Sequence, residues 1–247
     1  MKLSKWLCLI LCSSAGLVNA VQPEIDVAQK VTQLSEVISE RVHKQIEEAQ
    51  NNDSFSEMTD EERRQMVVKA AEKQDWKMAF QLLLPLAQKG DYQAQANLGI
   101  LYAKGQGAPQ DLEKAYWWFS EAAEKGSVKA INNLAVFYLQ GHGVKKDIKH
   151  SIKLFERTAN SGSQDAMVVL GQIYENELKQ LKNAFKWFKK AAEAGDYNAK
   201  YRIALMYEHG EGTKKNKQQA IHWYQEVLKE KGSLTEVAQE RLANLKK

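Results

Sequence analysis

The chain has 247 residues, of which 44% are hydrophobic and 27% charged, and its net charge of +4 is small. This composition is that of a folded globular protein, and it excludes a collagen-like chain or one disordered throughout. Only three prolines are present and strong helix formers dominate, so we expect long helices. The lysines are scattered and form no arginine-and-aromatic groove, so we expect no nucleic-acid partner.

The first twenty residues have the pattern of a cleaved secretory signal peptide. Two lysines are followed by an apolar stretch over 6–17, and small residues precede a cleavage site after Ala20. The stretch is shorter than the about 20 residues that cross a bilayer, so we expect no membrane span after cleavage. Cys8 and Cys12, the only cysteines, lie in this segment, so we expect the exported chain to have no disulfide and no thiolate metal site. The alternative is a retained N-terminal anchor.

Residues 21–58 are predicted to form an amphipathic helix, over about 25–50, and a linker. Apolar residues recur there at three- and four-residue steps, which is the spacing of one helix face: Val27, Val31, Leu34, Ile38, Val42, Ile46 and Ala49. This face either packs on the rest of the chain, pairs with a second copy or receives a partner. Self-association through 25–50 is therefore one prediction.

Residues 59–90 are predicted to cap the N-terminal end of a repeat array that begins at residue 91. Thr59 and Glu62 have the spacing of a capping box and predict a helix over about 60–74. Residues 70–90 have the pattern of the second helix of a truncated repeat, and Pro85 is expected to bend it.

Four repeats make up this array, over 91–126, 127–162, 163–195 and 196–232. The same residue types recur in register in each: an alanine, then leucine or isoleucine, then a small residue, then tyrosine, and in the second half a large apolar residue followed by an aromatic. The first half aligns Ala94, Leu98, Gly99 and Tyr102 with Ala130, Leu134, Ala135 and Tyr138, with Ala166, Leu170, Gly171 and Tyr174, and with Ala199, Ile203, Ala204 and Tyr207. The second half aligns Trp118, Leu154, Trp187 and Trp223, and the aromatics Phe119, Phe155, Phe188 and Tyr224.

Each repeat is predicted to be a helix–turn–helix hairpin. Ala94, Leu98 and Tyr102 are four residues apart and share one helix face, and the small residue after the leucine lets a neighbouring helix approach. A Gly-x-Gly pair then breaks the first helix, and Asp111, Asp147 and Asn216 are predicted N-caps of second helices. The third block lacks the glycine pair and is three residues short, so its turn must differ. Stacked hairpins would bury a continuous core.

A terminal helix over 233–247 is predicted to close the array. Ser233 and Glu236 mark its start, and Leu234, Val237/Ala238, Leu242 and Leu245 are expected to face inward.

The repeat pattern resembles the Sel-one-like repeat family, a branch of the tetratricopeptide-repeat superfamily. The family motif A-x-x-x-L-G-x-x-Y-x-x-G-x-G-x-x-x-D-x-x-x-A-x-x-W-[FY]-x-x-A-A-x-x-G is nearly complete in the first block. The resemblance implies an all-α, right-handed α-solenoid whose first helices line a concave groove. It implies scaffold or adaptor work through protein–protein contacts.

By that analogy, side chains next to the buried stripe of each first helix are candidates for binding a partner. They mix polar and apolar types, which suits a peptide or helix: Gln93, Asn97, Ile100, Lys129, Asn132, Asn133, Val136, Val168, Gln172, Tyr201 and Arg202. Val169 and Leu205 either join this face or pack between repeats. Trp117 aligns with Lys153, Lys186 and His222, so it is expected to face solvent as an aromatic anchor.

The sequence contains no recognisable catalytic or metal-binding motif, so we expect a non-enzymatic protein without cofactor or metal. The leading prediction is a periplasmic interaction module that binds an envelope protein or a secreted toxin. A sharper alternative is an immunity protein, because some exported members of the resembled family look like partners of type VI secretion phospholipase toxins. A further alternative is a protein that binds envelope glycan or assists assembly.

Overall fold

A computed structural model describes residues 57–246 together with Glu40, Lys44 and Phe55. In that part of the chain all regular structure is helical, which confirms the all-α solenoid. None of the helices described there is both long and apolar enough to cross a bilayer. The predictions for 1–20 and 25–50 fall outside the described residues, apart from Glu40 and Lys44, which are helical and exposed.

Within each unit, consecutive helices pack against each other as antiparallel pairs. In chain order they are α1 (Asp60–Glu72), α2 (Trp76–Gln88), α3 (Tyr92–Lys104), α4 (Leu112–Glu124), α5 (Val128–Gln140), α6 (Ile148–Asn160), α7 (Gln164–Gln172), the π-helix π1 (Ile173–Glu177), α8 (Leu181–Glu193), α9 (Tyr197–His209), α10 (Lys217–Leu228) and α11 (Thr235–Lys246). The chain divides into two compact units within α6, one ending at Ser151 and the other beginning at Ile152.

Side-chain caps set where the helices begin. The predicted capping box is present, with the Thr59 hydroxyl accepting from the Glu62 amide and the Glu62 carboxylate accepting from the Thr59 amide. The three predicted second-helix caps are also confirmed. Asp111, Asp147 and Asn216 accept from backbone amides three residues on, at 2.9 to 3.0 Å. These bonds satisfy amides that a helix start would otherwise leave without partners.

The two glycines of each Gly-x-Gly turn have different roles. The first, such as Gly105, ends its helix in the left-handed region, with φ of 66°. The second glycine also has positive φ, and it is needed because the turn lies close against the helix of the preceding repeat. A Cβ on Gly107 would lie 2.8 Å from the Trp76 carbonyl carbon and 2.9 Å from Phe80 Cβ. Gly143 meets the Leu112 carbonyl oxygen in the same way, at 2.6 Å. The turn of one repeat therefore rests on the second helix of the repeat before it.

The turn of the third repeat differs, as its missing glycines predicted. α7 passes directly into π1, and Lys179, a non-glycine residue, then takes a φ of 55°. The Gln180 amide bonds to the Tyr174 carbonyl at 2.7 Å and closes the shorter turn. A π-turn widens the helix by one residue per hydrogen bond, and here it replaces the αL cap that glycine provides elsewhere.

The predicted stripe forms the core of both units. Ala94, Leu98 and Tyr102 are buried in the first unit, and so are Ala199 and Ile203 in the second. A Cβ on Gly99 would lie 2.6 Å from the Phe119 ring, which confirms that the small residue after the leucine lets the paired helix approach. Large-to-small substitutions on this stripe are therefore expected to leave cavities.

The two ends depart in detail from the prediction. The half repeat is a hairpin of α1 and α2, so residues 70–75 finish α1 and its turn, and α2 begins only at Trp76. Pro85 lies inside α2, which continues to Gln88. In α11, Ala238 and Leu242 are buried as predicted, but Val237 is 42% exposed. Residues 238, 242 and 245 share one face of this helix, and 237 lies about 100° away from it.

Candidate functional site

In the first unit, the candidate face is built from the exposed sides of α3 and α5. Gln93 and Lys129 are exposed, while Asn97, Ile100 and Val136 are half-buried. The Lys129 ammonium donates to Asn97 Oδ1 at 2.8 Å, which joins two successive first helices through their side chains. Asn132 and Asn133 are half-buried on the same helix, and the Asn133 side-chain amide donates to the Lys129 carbonyl at 2.8 Å.

This face carries a positive charge that is poorly compensated. Burial, and next the positive charge of Lys104, lower the pKa of Lys129. The described ion pairs of the chain include neither Lys104 nor Lys129. A carboxylate placed here would stabilise both ammonium groups, since an opposite charge favours the charged form of each.

In the second unit, most of the residues predicted to bind a partner instead contact other residues of the same unit. Val168 and Tyr201 pack against the hydrophobic core, and the Tyr201 ring lies 5.8 Å from that of Tyr224. Leu205, for which both alternatives were open, packs there too. Only Gln172 among the predicted residues of this unit is exposed.

Arg202 links the variant turn to the next glycine turn. Its guanidinium donates to Glu175 in π1 and, at 2.8 Å, to Glu211 between Gly210 and Gly212. No pattern in the sequence indicated this contact, because Glu175 is 27 residues away from Arg202 and lies in a π-turn. Arg202 is thus already engaged by two carboxylates within its own unit.

Trp117 does not project into solvent as expected. It is half-buried, and its ring lies edge-on against that of Trp118, with centroids 4.5 Å apart. The aligned residues Lys153, Lys186 and His222 are all exposed, so the position does face outward in the other repeats. His222 also lies edge-on against the tryptophan that follows it, with centroids 5.3 Å apart, but the larger indole of Trp117 is less exposed than the histidine.

A polar network near α11 was also missed from the sequence. The Tyr224 hydroxyl donates to Glu208 at 2.6 Å, and Arg241 donates to the other oxygen of that carboxylate at 3.2 Å. Burial raises the pKa of Tyr224, and the bond to Glu208 raises it further. The one available signal was that Tyr224 replaces the phenylalanine of the other three repeats.

The buried tyrosines predict a loss of stability at high pH. Burial raises the pKa of Tyr102 to about 12, whereas the unfolded side chain has a pKa near 10. The folded state therefore holds this proton more tightly, so its contribution is complete below about pH 10 and is lost as pH rises towards 12. We expect the free energy of unfolding to fall over pH 10 to 12, and Tyr102→Phe to reduce that slope. Urea unfolding across this range measures it; an unchanged slope in Tyr102→Phe would contradict it.

Among the described residues, no three histidine, cysteine, aspartate or glutamate side chains form a cluster that could hold a metal ion. The described residues form two candidate binding surfaces. One is the cationic face of α3 and α5, and the other consists of exposed lysines on turns and second helices.

Comparison with known proteins gives a family and a fold. The model of the Sel1 repeat matches residues 93–127, 128–163, 164–196 and 198–226. A Sel1 repeat protein from Oxalobacter formigenes is 28% identical with a TM-score of 0.61, over 74% of this chain and 72% of that one. A protective antigen of uropathogenic Escherichia coli strains, which displays an SLR fold, is 27% identical with a TM-score of 0.67. That match covers 81% of this chain but only 43% of the antigen. A comparison with curated proteins found no match.

Proposed function

The chain belongs to the Sel1 repeat family, whose repeats mediate protein–protein interaction, and from this premise we propose that it is an exported, non-enzymatic adaptor of the periplasm. Its partner is a protein that presents carboxylates to the face of α3 and α5. The signal-peptide pattern supports export, and the absence of a recognised catalytic motif agrees with an adaptor.

The observation that carries this proposal is the bond between Lys129 and Asn97. It holds an ammonium group on the surface across two successive first helices, next to the second charge of Lys104. An acidic segment lying along this face would meet both lysines and the asparagine amides. Ile100 and Val136, half-buried beside them, would contact its apolar side chains, as in a helix-in-groove complex.

The test is capture of partners from a periplasmic extract by the purified exported protein, at about 0.15 M salt. We expect the variant Asn97→Ala/Lys129→Ala to recover the partner about tenfold less well, because truncating a central charged contact removes its binding energy and exposes the apposed carboxylate. The matched control is Lys153→Ala/Asn160→Ala. It removes the same residue types from exposed positions on α6 and should bind normally.

The identity of the captured protein decides between the alternatives. A secreted toxin bound one to one would identify an immunity protein, and several envelope proteins would identify a scaffold. Equal recovery by both variants would place the binding surface elsewhere. Failure to capture any protein under crosslinking, with retention on envelope glycan, would replace the proposal with glycan binding.

A further inference from the structure

The turn before α10 lies against the first residues of α8. A Cβ on Gly212 would be 2.5 Å from the Leu181 carbonyl carbon and 3.1 Å from the Lys182 amide nitrogen. The loop that follows Gly212 and the start of α8 are therefore parts of one surface within the second unit.

This surface is strongly basic. Residues 178–190 and 210–219 contain eight lysines and one acidic residue. We define the lysine patch as the exposed residues Lys182, Lys186, Lys214, Lys215 and Lys217. Lys182 and Lys186 are one turn apart and share a face of α8. The described ion pairs of the second unit include none of the five.

Most of the nearby carboxylates bond to groups other than these five lysines. Five acidic residues lie within the two stretches or within three positions of them: Glu175, Glu177, Glu193, Glu208 and Glu211. Glu193 pairs with Lys189, and Glu208 bonds to Tyr224 and Arg241. Glu175 and Glu211 both bond to Arg202. Arg202 therefore neutralises two carboxylates that lie close to the patch in sequence.

An exposed leucine lies at the start of the same helix. Leu181 is the first residue of α8 and is 39% exposed, directly before Lys182. Lysines around a projecting apolar side chain suit the surface of an anionic bilayer, where ammonium groups meet phosphates and the apolar group enters the interface. A small anion would bind the lysines but would gain nothing from contact with Leu181, whereas a bilayer also accommodates the apolar side chain.

The equivalent surface of the first unit lacks this character. There Gly143 rests on the start of α4, and lysines 145, 146 and 149 follow it, but the start of α4 is flanked by Asp111 and Glu113. The repeat architecture therefore does not by itself produce a basic, acid-free surface, and the second unit is distinct.

We propose that the lysine patch, with Leu181, docks the protein peripherally on a membrane surface rich in anionic phospholipid headgroups. This goes beyond the adaptor function, since it uses turn and second-helix residues of the second unit, none of which belongs to the face of α3 and α5.

The test is co-sedimentation of the purified exported protein with vesicles of phosphatidylcholine, with and without phosphatidylglycerol. We expect binding only to the anionic vesicles, and weaker binding at high salt. The variant Lys182→Gln/Lys214→Gln/Lys215→Gln should partition about 100-fold less well, because each of the three lysines contributes about fivefold near an anionic surface. Leu181→Ser should also bind more weakly.

The matched control, Lys145→Gln/Lys149→Gln/Lys153→Gln, removes the same charge from exposed positions elsewhere and should keep most of the binding. Equal loss in both triple variants would show that only net charge matters, which overturns the patch. Equal sedimentation with neutral vesicles, or capture of an acidic protein by the patch with no vesicle binding, would overturn the membrane assignment. Partner capture on the face of α3 and α5 should be unchanged in the patch variant, so failure of one proposal is separable from failure of the other.

Discussion

Replacing Gly107 by alanine is expected to lower the free energy of unfolding by about 3 kcal/mol or more, whereas Gly126→Ala should cost only about 1 kcal/mol. Both glycines have positive φ, 77° and 87°, so both substitutions strain the backbone alike. A Cβ at Gly126 meets nothing within 4 Å, but one at Gly107 meets the backbone of Trp76 and the Cβ of Phe80. Those atoms cannot move without displacing α2.

The comparison isolates the contact between one repeat and the repeat before it. Urea unfolding followed by far-UV circular dichroism gives the two free energies, and tryptophan fluorescence checks that the transitions coincide, as repeat arrays require. If Gly107→Ala cost no more than Gly126→Ala, the second glycine of the turn would be needed only for its φ, and the packing role assigned to it would be wrong.

Trp118→Ala is expected to cost about 4 kcal/mol, while Trp117→Ala, one residue away, should cost about 1 kcal/mol. Trp118 is 1% exposed, so removing its indole leaves a large cavity between the helices of the first full repeat. Trp117 is half-buried and contacts Trp118 from outside. Its loss uncovers one ring and opens no cavity.

Thermal and urea unfolding of the two variants measure this difference, and the same proteins serve in the partner-capture assay. Trp117→Ala should remain folded, so any loss of partner binding in it would support the aromatic-anchor hypothesis directly. Loss of the helical signal in Trp117→Ala at room temperature would instead show that this tryptophan is part of the core.

The hairpins could be predicted because each depends on a local pattern. The Ala–Leu–Tyr spacing marks the buried face of a first helix, and an aspartate or asparagine directly before the second helix caps it. Val237 shows where local pattern is insufficient. Both 237 and 238 are small and apolar, and only the docking of α11 decides that Ala238 faces the core.

The candidate site was less predictable than the fold. Alignment of the repeats placed Asn97 and Lys129 on one surface, and the structure joins them. The same alignment placed Tyr201 and Arg202 on that surface. In the structure, Tyr201 packs against the core and Arg202 bonds to two carboxylates. A surface side chain in a repeat is available to a partner only if no residue 27 to 36 positions away packs on it or bonds to it. The repeat pattern does not show which of those residues make such contacts.

The sequence by itself determined the helix count per repeat, the buried stripe, the caps and the aberrant third turn, since these follow from residues within a few positions of one another. Tertiary structure alone decided which glycine carries a contact between repeats, how far Trp117 is buried, and which charges remain uncompensated at the surface. Those outcomes depend on distances between residues separated by about one repeat, and such distances are set by how the hairpins stack.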